Sequence, residues 1–227
     1  MAPIDNPRRH TRDDVARAAL RLLDDVGLPD LTMRRLAADL DVQPSALYHH
    51  FPNKQTLLAE VADRIVTARG GVEASDDWTT DVRAAAAVLR DSLLAYRDGA
   101  EVVASTLSMG LGAEAARDLL ADAIARGGFD ADTTRRAATA LLHFVLGHVS
   151  HEQQRLQFDS LGVVATDVDD DAGAFAFGVD LFVTGLKGAY RIPAEKAGPA
   201  RTSQLSWVDV ETAESLDALI EEIKGDR

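Results

Sequence analysis

The chain has 227 residues, enough for one or two domains with a sizeable hydrophobic core. It contains no cysteine, which excludes a disulfide framework, a thiolate nucleophile and a Cys-type zinc site. A net charge of −13 argues at first sight against a nucleic-acid partner, but residues 1–60 carry eight Lys/Arg against nine Asp/Glu, and residues 61–227 sixteen against twenty-eight. The acid is therefore concentrated away from the N-terminal part, whose non-specific affinity for nucleic acid is still expected to be weak. The N-terminus, MAPIDNPRRH, has basic residues without the apolar stretch of a secretory signal, and the longest apolar candidate, Phe175–Leu186, is interrupted by Asp180. A soluble, cytoplasmic protein with no membrane partner is expected.

Residues 1–10, with two prolines and no periodicity, read as a flexible arm. Arg8 and Arg9, with Arg12 just beyond, either reach phosphates or a minor groove or belong to a solvated tail. Thr11 caps a helix to about Val26 that turns Val15, Ala19, Leu22, Leu23 and Val26 inward, and Gly27 ends it from a left-handed position. Leu28 and Leu31, on the linker, pack under the next two helices. From Thr32 to Leu58 the sequence TMRRLAADLDVQPSALYHHFPNKQTLL carries three apolar stripes: Leu36, Ala37 and Leu40; Val42 and Leu47; Leu57 and Leu58, continued by Val61. Thr32 caps the first helix, Asp41 and Val42 form a very short break with Val42 buried, and Pro44 suits a first turn, where a missing amide costs nothing. Two short helices across a tight turn, the second bearing polar and aromatic side chains, is the helix-turn-helix layout.

Within it, SALYHHFPNKQTLL resembles the recognition-helix signature of the TetR family of transcriptional repressors. The resemblance implies an all-α regulator with double-stranded operator DNA as partner, no enzymatic activity and no cofactor. Gln43, Pro44, Ser45 and Ala46 then begin the recognition helix, the end that enters the major groove. Gln43 can hydrogen-bond an adenine edge, Ala46 can touch a thymine methyl, and Arg34 on the preceding helix suits a bidentate contact to guanine. Tyr48, His50, Lys54 and the Thr32 hydroxyl fit phosphate contacts, and His49 faces either base or backbone. The alternative for Tyr48 and the two histidines is helix packing and solvent exposure; Leu47 and Phe51 read as core.

Lys54 opens a longer helix, with Leu57, Leu58, Val61, Ala62 and Ile65 on one side, that runs to Gly70-Gly71 as a lever between domains. GGVEASDD, residues 70–77, is a composition shift that separates a helix-turn-helix domain, 11–70, from a larger helical domain, 77–190. The latter reads as helices over Thr80–Tyr96, a short piece from Arg97 (RDGAEVVASTL), Ala113–Arg126 stopped by Gly127-Gly128, a long helix capped by Asp130 or Asp132 through about Leu156, and Ala172–Tyr190. The acidic loop DVDDD, 167–171, reads as solvated. Residues 191–227 are a linker followed by an amphipathic helix with Val210, Leu216, Leu219, Ile220 and Ile223 apolar.

Two helices are apolar nearly all round. In ALLHFVLGHV, Leu141, Phe144 and Val145 point one way and Leu142, Leu146 and Val149 another; in FAFGVDLFVTGLKG, Phe175, Val179, Phe182 and Leu186 form a stripe that Phe177 and Leu181 widen. A helix apolar on two faces must be covered on two faces. A homodimer interface built from Leu142, Val145, Val149, Phe175, Val179, Phe182 and Leu186 is one solution; a central helix covered within one chain is the other.

YRDGAEVVASTL, LLHFVLGHVSHEQQ and FAFGVDLFVTGL further resemble the ligand-binding and dimerisation domain of the tetracycline-repressor class of that family, so the likeness covers about residues 11–190. That class implies a small-molecule effector pocket at Gly70, Ala85, Leu89, Val103, Thr106, Leu120, His143 and His151. The departures are chemical. The class's magnesium-binding histidine falls at Val103, its water-holding carboxylate at His151, its drug-anchoring histidine near Gly70, and its asparagine and aromatic near Ala85 and Leu89. Magnesium wants oxygen ligands, so a more apolar effector than a magnesium–tetracycline chelate is expected. A metal-responsive regulator using His143, His148 and His151 stays open as an alternative, because His148 and His151 are spaced i, i+3. A metal-dependent enzyme is the more remote one, as no HExxH arrangement or nucleophile is evident.

Overall fold

The first helix shows how tightly local sequence sets the boundaries. In a computed structural model that describes residues 10–160 and 171–189, α1 (Arg12–Val26) opens at Thr11, whose hydroxyl accepts from Asp14 N at 3.1 Å while the Asp14 carboxylate accepts from Thr11 N at 2.9 Å. Gly27 ends it with φ +81° and ψ 170°, an extended mirror-image conformation rather than the left-handed helical one the sequence implied. Only glycine fits there, because a Cβ would lie 2.8 Å from the Asp98 carboxylate.

Next come α2 (Met33–Asp39), capped by the Thr32 hydroxyl, and the five-residue α3 (Pro44–Tyr48), with Asp41 at φ 53° making the break between them. Val42 is half-buried in that break, and Leu36, Leu47 and Phe51 close a common core beneath. α4 (Lys54–Thr67) begins at a capping box between Asn53 and Thr56 and buries Leu57, Leu58, Val61, Ala62 and Ile65. It stops at Thr67, three residues short of the glycine pair.

The second half contains α5 (Trp78–Leu94), α6 (Gly99–Ser108), α7 (Glu114–Ala125), α8 (Ala131–Ser160) and α9 (Asp171–Ala189). Asp130 caps α8, accepting from the amides of Asp132 and Thr133, and the helix runs one turn beyond the Leu156 expected of it. The all-helical class is as expected, and no strand occurs among the described residues. The arginines of the arm before His10, the acidic loop before Asp171, and the tail with Val210, Leu216, Leu219, Ile220 and Ile223 lie outside the described residues.

α8 is the axis of this half and packs against α5, α6, α7 and α9. That position bears on the expected dimer interface. Val145 and Val149 have no exposed surface, and Leu142, Phe175 and Val179 have 3–5 %, so these five side chains are used within the chain. Phe182 and Leu186 are half-buried. Within one chain α8 is covered on the side of these residues, while Ala140, His143, Gly147 and His151 remain exposed. α9 comes close because Gly178 faces the Phe144 ring, where a Cβ would collide.

Polar groups fix α8 as firmly as apolar ones. The Gln153 amide accepts from Ala100 N at 3.2 Å and donates to the carbonyls of Leu93 at 3.1 Å and Tyr96 at 2.8 Å, bracing the whole α5–α6 turn. Beside it Glu152 receives a two-pronged bond from Arg90 at 2.6 and 3.1 Å, and the guanidinium carbon lies 5.4 Å from the Phe175 ring centroid. Asp81 at the start of α5 joins Arg126 at the end of α7; hydrogen bonds from Ser75 and Arg126 hold its carboxyl below the usual carboxylate value.

Replacing Gln153 by Ala leaves the buried Ala100 amide without its partner and takes one donor from each of the Leu93 and Tyr96 carbonyls, which keep bonds from Tyr96 N and Gly99 N. We expect Gln153→Ala to lower the unfolding free energy by about 1–3 kcal/mol in urea titration. A loss under about 1 kcal/mol would show that the α5–α6 turn holds without it.

Candidate nucleic-acid interface and ligand-domain core

α3 is supported from below and open above. Leu47 and Phe51 are buried, whereas Gln43, Ser45, Tyr48 and His49 are exposed and Pro44, Ala46 and His50 half-buried. Pro44 occupies the first turn, and the Gln43 side chain makes no capping bond, so its amide is presented to solvent. Arg34 is exposed on α2, and among the described residues no acidic group pairs with it. Thr32 is exposed, but its hydroxyl accepts from Arg35 N at 3.1 Å, so only its proton remains for a phosphate. Lys54 is half-buried, with Nζ 3.4 Å from the Leu28 carbonyl, and thus reaches back to the α1–α2 connection.

Sequence reasoning missed the charges around this surface. Arg12, read as part of a basic arm, is exposed but folded back onto the head: its guanidinium carbon lies 4.3 Å from the Phe51 ring centroid, and Nη1 donates to the His50 carbonyl at 3.2 Å. It also bonds Glu60, which Arg64 bonds in turn, and Arg64 reaches Asp13 at 2.7 Å. Burial opposes ionisation of Glu60, yet hydrogen bonds from Arg64 and Arg12 outweigh it and hold the carboxyl below its ordinary value.

A joint links the head to the ligand domain. Asp98, in the left-handed conformation at φ 55°, accepts from Leu28 N at 2.8 Å with one oxygen and from the Gln157 amide at 2.6 Å with the other. Asp63 on α4 accepts from Ala113 N at 2.7 Å. A cleft of about 360 Å³ opens beside the first of these contacts, lined by Leu94, Tyr96, Arg97, Asp98, Leu156 and Gln157 among others. The Asp-Gly pair at 98–99, a turn dipeptide before a helix, was the local signal for this site.

The expected effector positions separate into two groups. Ala85, Leu89, Val103, Thr106 and Leu120 have no exposed surface, and the four apolar ones belong to one continuous core. The Thr106 hydroxyl is satisfied by the carbonyls of Val102 and Val103, at 3.1 and 3.0 Å. Gly70 lies exposed beyond α4, and His143 and His151 are exposed on the outer side of α8. His148 instead sits among Phe144 and Phe175, with ring centroids 5.8 and 5.3 Å away. Among the described residues no three His, Cys, Asp or Glu side chains are grouped so as to hold a metal ion, and no helix is long and apolar enough to cross a membrane.

Comparison with known proteins agrees with this geometry. Residues 16–61 match the profile of bacterial regulatory proteins of the tetR family, and residues 71–172 match the tetracyclin repressor-like C-terminal domain. The class A tetracycline repressor protein from transposon 1721 of Escherichia coli is 34% identical over 206 residues, covering 82% of this chain and 95% of that protein. The class C protein, also from Escherichia coli, is 39% identical over 145 residues, 63% of this chain and 66% of its own length. Among solved structures, BioQ of Mycobacterium smegmatis shares 38% identity with a TM-score of 0.72, over 79% of this chain and 98% of BioQ. BioQ bound to its double-stranded DNA operator aligns at 37% identity and a TM-score of 0.67, over 78% and 98% of the two chains. A helix-turn-helix head on a helical ligand domain, together with these likenesses, places the chain in the TetR family as a transcription regulator of tetracycline-repressor type and not an enzyme.

Proposed function

We propose that this protein is a cytoplasmic repressor that binds a pseudo-palindromic operator as a homodimer and leaves it when a small apolar effector enters the ligand domain. The exposed start of α3, seated on the buried Leu47 and Phe51, carries the reading. It offers Gln43, Ser45 and Ala46 to base edges, with Arg34 beside them, while Thr32, Tyr48, His49, His50 and Lys54 set orientation on the backbone. The operator-bound BioQ structure supports this use of the head.

Dimerisation rests on the side of α8 and α9 that the chain leaves uncovered. Phe177 and Leu181 are 65 % and 59 % exposed, and Ala140, His143, Gly147 and His151 line the exposed side of α8. Large exposed apolar side chains beside small ones suit close helix packing in a four-helix contact.

The effector is assigned by the chemistry of the core. Ala85, Leu89, Val103 and Leu120 offer no charge, and Thr106 is already bonded to its own helix. A magnesium chelate finds no oxygen ligand among them. An apolar or aromatic molecule that prefers a different separation of the heads shifts the population away from DNA.

Arg34→Ala is expected to cost about 1–3 kcal/mol at one operator position and to relax specificity there; binding measured across operator variants decides it, and a uniform loss removes Arg34 from base readout. Leu181→Asp yields folded monomers in sedimentation, since the residue is exposed in one chain; an intact dimer moves the interface elsewhere. In calorimetry with magnesium and tetracycline no micromolar binding is expected, and its appearance would overturn the apolar-effector assignment.

A further inference from the structure

Arg12 has no part in the proposed readout, yet it is held from three sides. The face of its guanidinium lies over Phe51, at 4.3 Å from the ring centroid. Nη1 donates to the His50 carbonyl at 3.2 Å, and Nη2 and Nε donate to Glu60 at 3.0 and 3.4 Å. Glu60 is fixed in turn by Arg64 at 3.0 and 3.2 Å, and Arg64 by Asp13 at 2.7 Å. Two arginines and two carboxylates thereby tie the start of α1 to the middle of α4 and to the turn that leaves α3.

The recognition helix needs such an anchor. It has five residues, Pro44–Tyr48, far below the length at which a helix holds itself. Its exit is a tight turn in which His50 N and Phe51 N both donate to the Leu47 carbonyl at 2.9 Å. The His50 carbonyl is a free acceptor at that exit unless a side chain supplies the proton, and Arg12 supplies it. Phe51, fully buried, is the residue on which that turn rests, and its ring face is the one Arg12 covers.

We propose that Arg12 is the positioning residue of the reading head: it fixes the angle at which α3 presents Gln43, Ser45 and Ala46, and it does not contact phosphate. Charge supports the second half. Arg12, Arg17 and Arg64 with Glu60, Asp13 and Asp14 form a neutral cluster, so it contributes little field toward a polyanion, and Nε, Nη1 and Nη2 of Arg12 each donate to protein. A planar fork with a stacking face is required; a lysine keeps the charge but cannot stack on Phe51 and bond both His50 and Glu60.

The inference rests on the operator-binding reading, and the experiment separates the two. The full-length wild-type chain selects a duplex from a random-sequence pool, and its affinity for that duplex and for a scrambled one is followed against salt concentration. Arg12→Lys is expected to weaken the selected duplex about tenfold, as loss of a charged hydrogen bond does, with scrambled-duplex affinity and salt slope unchanged. Glu60→Gln, which alters the anchor of Arg12 without altering any group assigned to DNA, is expected to lose selected-duplex affinity in the same direction. Unchanged scrambled-duplex affinity also shows that the head has folded. If Arg12→Lys binds like wild type while Arg12→Ala lowers the salt slope by about one, Arg12 is a phosphate contact and the inference is overturned. Wild-type binding by both Arg12→Lys and Glu60→Gln overturns it equally. If the wild-type chain selects no sequence, the operator reading fails first and the inference falls with it.

Discussion

The bracing of the α5–α6 turn by the Gln153 amide underlies one of the joints between the two halves of the molecule, beside the packing of α4 on α5, α6 and α7. That turn carries Asp98, and Asp98 bonds the amide of Leu28 just after α1. A side-chain amide is well suited to the task because it satisfies a donor and two acceptors from one rigid plane. Gly27 completes the arrangement, since any larger residue would push the Asp98 carboxylate away. One glutamine on α8 thus bears on the orientation of the head, through a turn and a carboxylate, together with the Asp63–Ala113 and Asp24–Arg97 bonds.

Charge imposes a second constraint. In a chain of net charge −13, a DNA-reading surface cannot rely on a broad positive field. Several of the head's cations are also committed internally: Arg12 to Glu60, Arg17 to Asp13 and Asp14, and Arg64 to Glu60 and Asp13. Affinity must then come from a few well-placed groups, which makes the geometry of α3 count for more than the number of basic residues.

Much of this was legible in the sequence where the causes are local. Thr11 and Pro44 announce helix starts through hydroxyl capping and a missing amide, and Leu47 and Phe51 declare themselves core within a short motif. Composition alone could not assign the faces of α8 and α9. Both helices are apolar on two sides, and nothing in periodicity says which side meets the same chain. Val145 and Val149 are therefore as good candidates for a subunit contact, on sequence, as Phe177 and Leu181, which only widen a stripe. The joint is hidden for a different reason. Asp98 and Leu28 are 70 residues apart, Arg12 and Glu60 48 apart, and a polar residue carries no mark of a partner that distant. The tetracycline-repressor likeness supplies positions for an effector, but the fold divides them between a closed core and an exposed helix side.

That division bears on how a ligand could act. Val103 and Leu120 are fully enclosed, so a molecule placed between them must move helices rather than fill a ready space, because close-packed cores respond to added volume by shifting. A shift of α6 would be felt at both of its polar anchors. Its first turn is bonded to Gln153 through Ala100 N, and the residue before it, Asp98, holds the head. A coupling of about 1–3 kcal/mol is typical of allosteric release, and a hydrogen bond to a charged group is worth about 1.5–3 kcal/mol. Under the proposed release, the bond between Asp98 and Leu28 is of the right size to contribute to a change of head position, but α4 and its Asp63–Ala113 contact would have to shift with it.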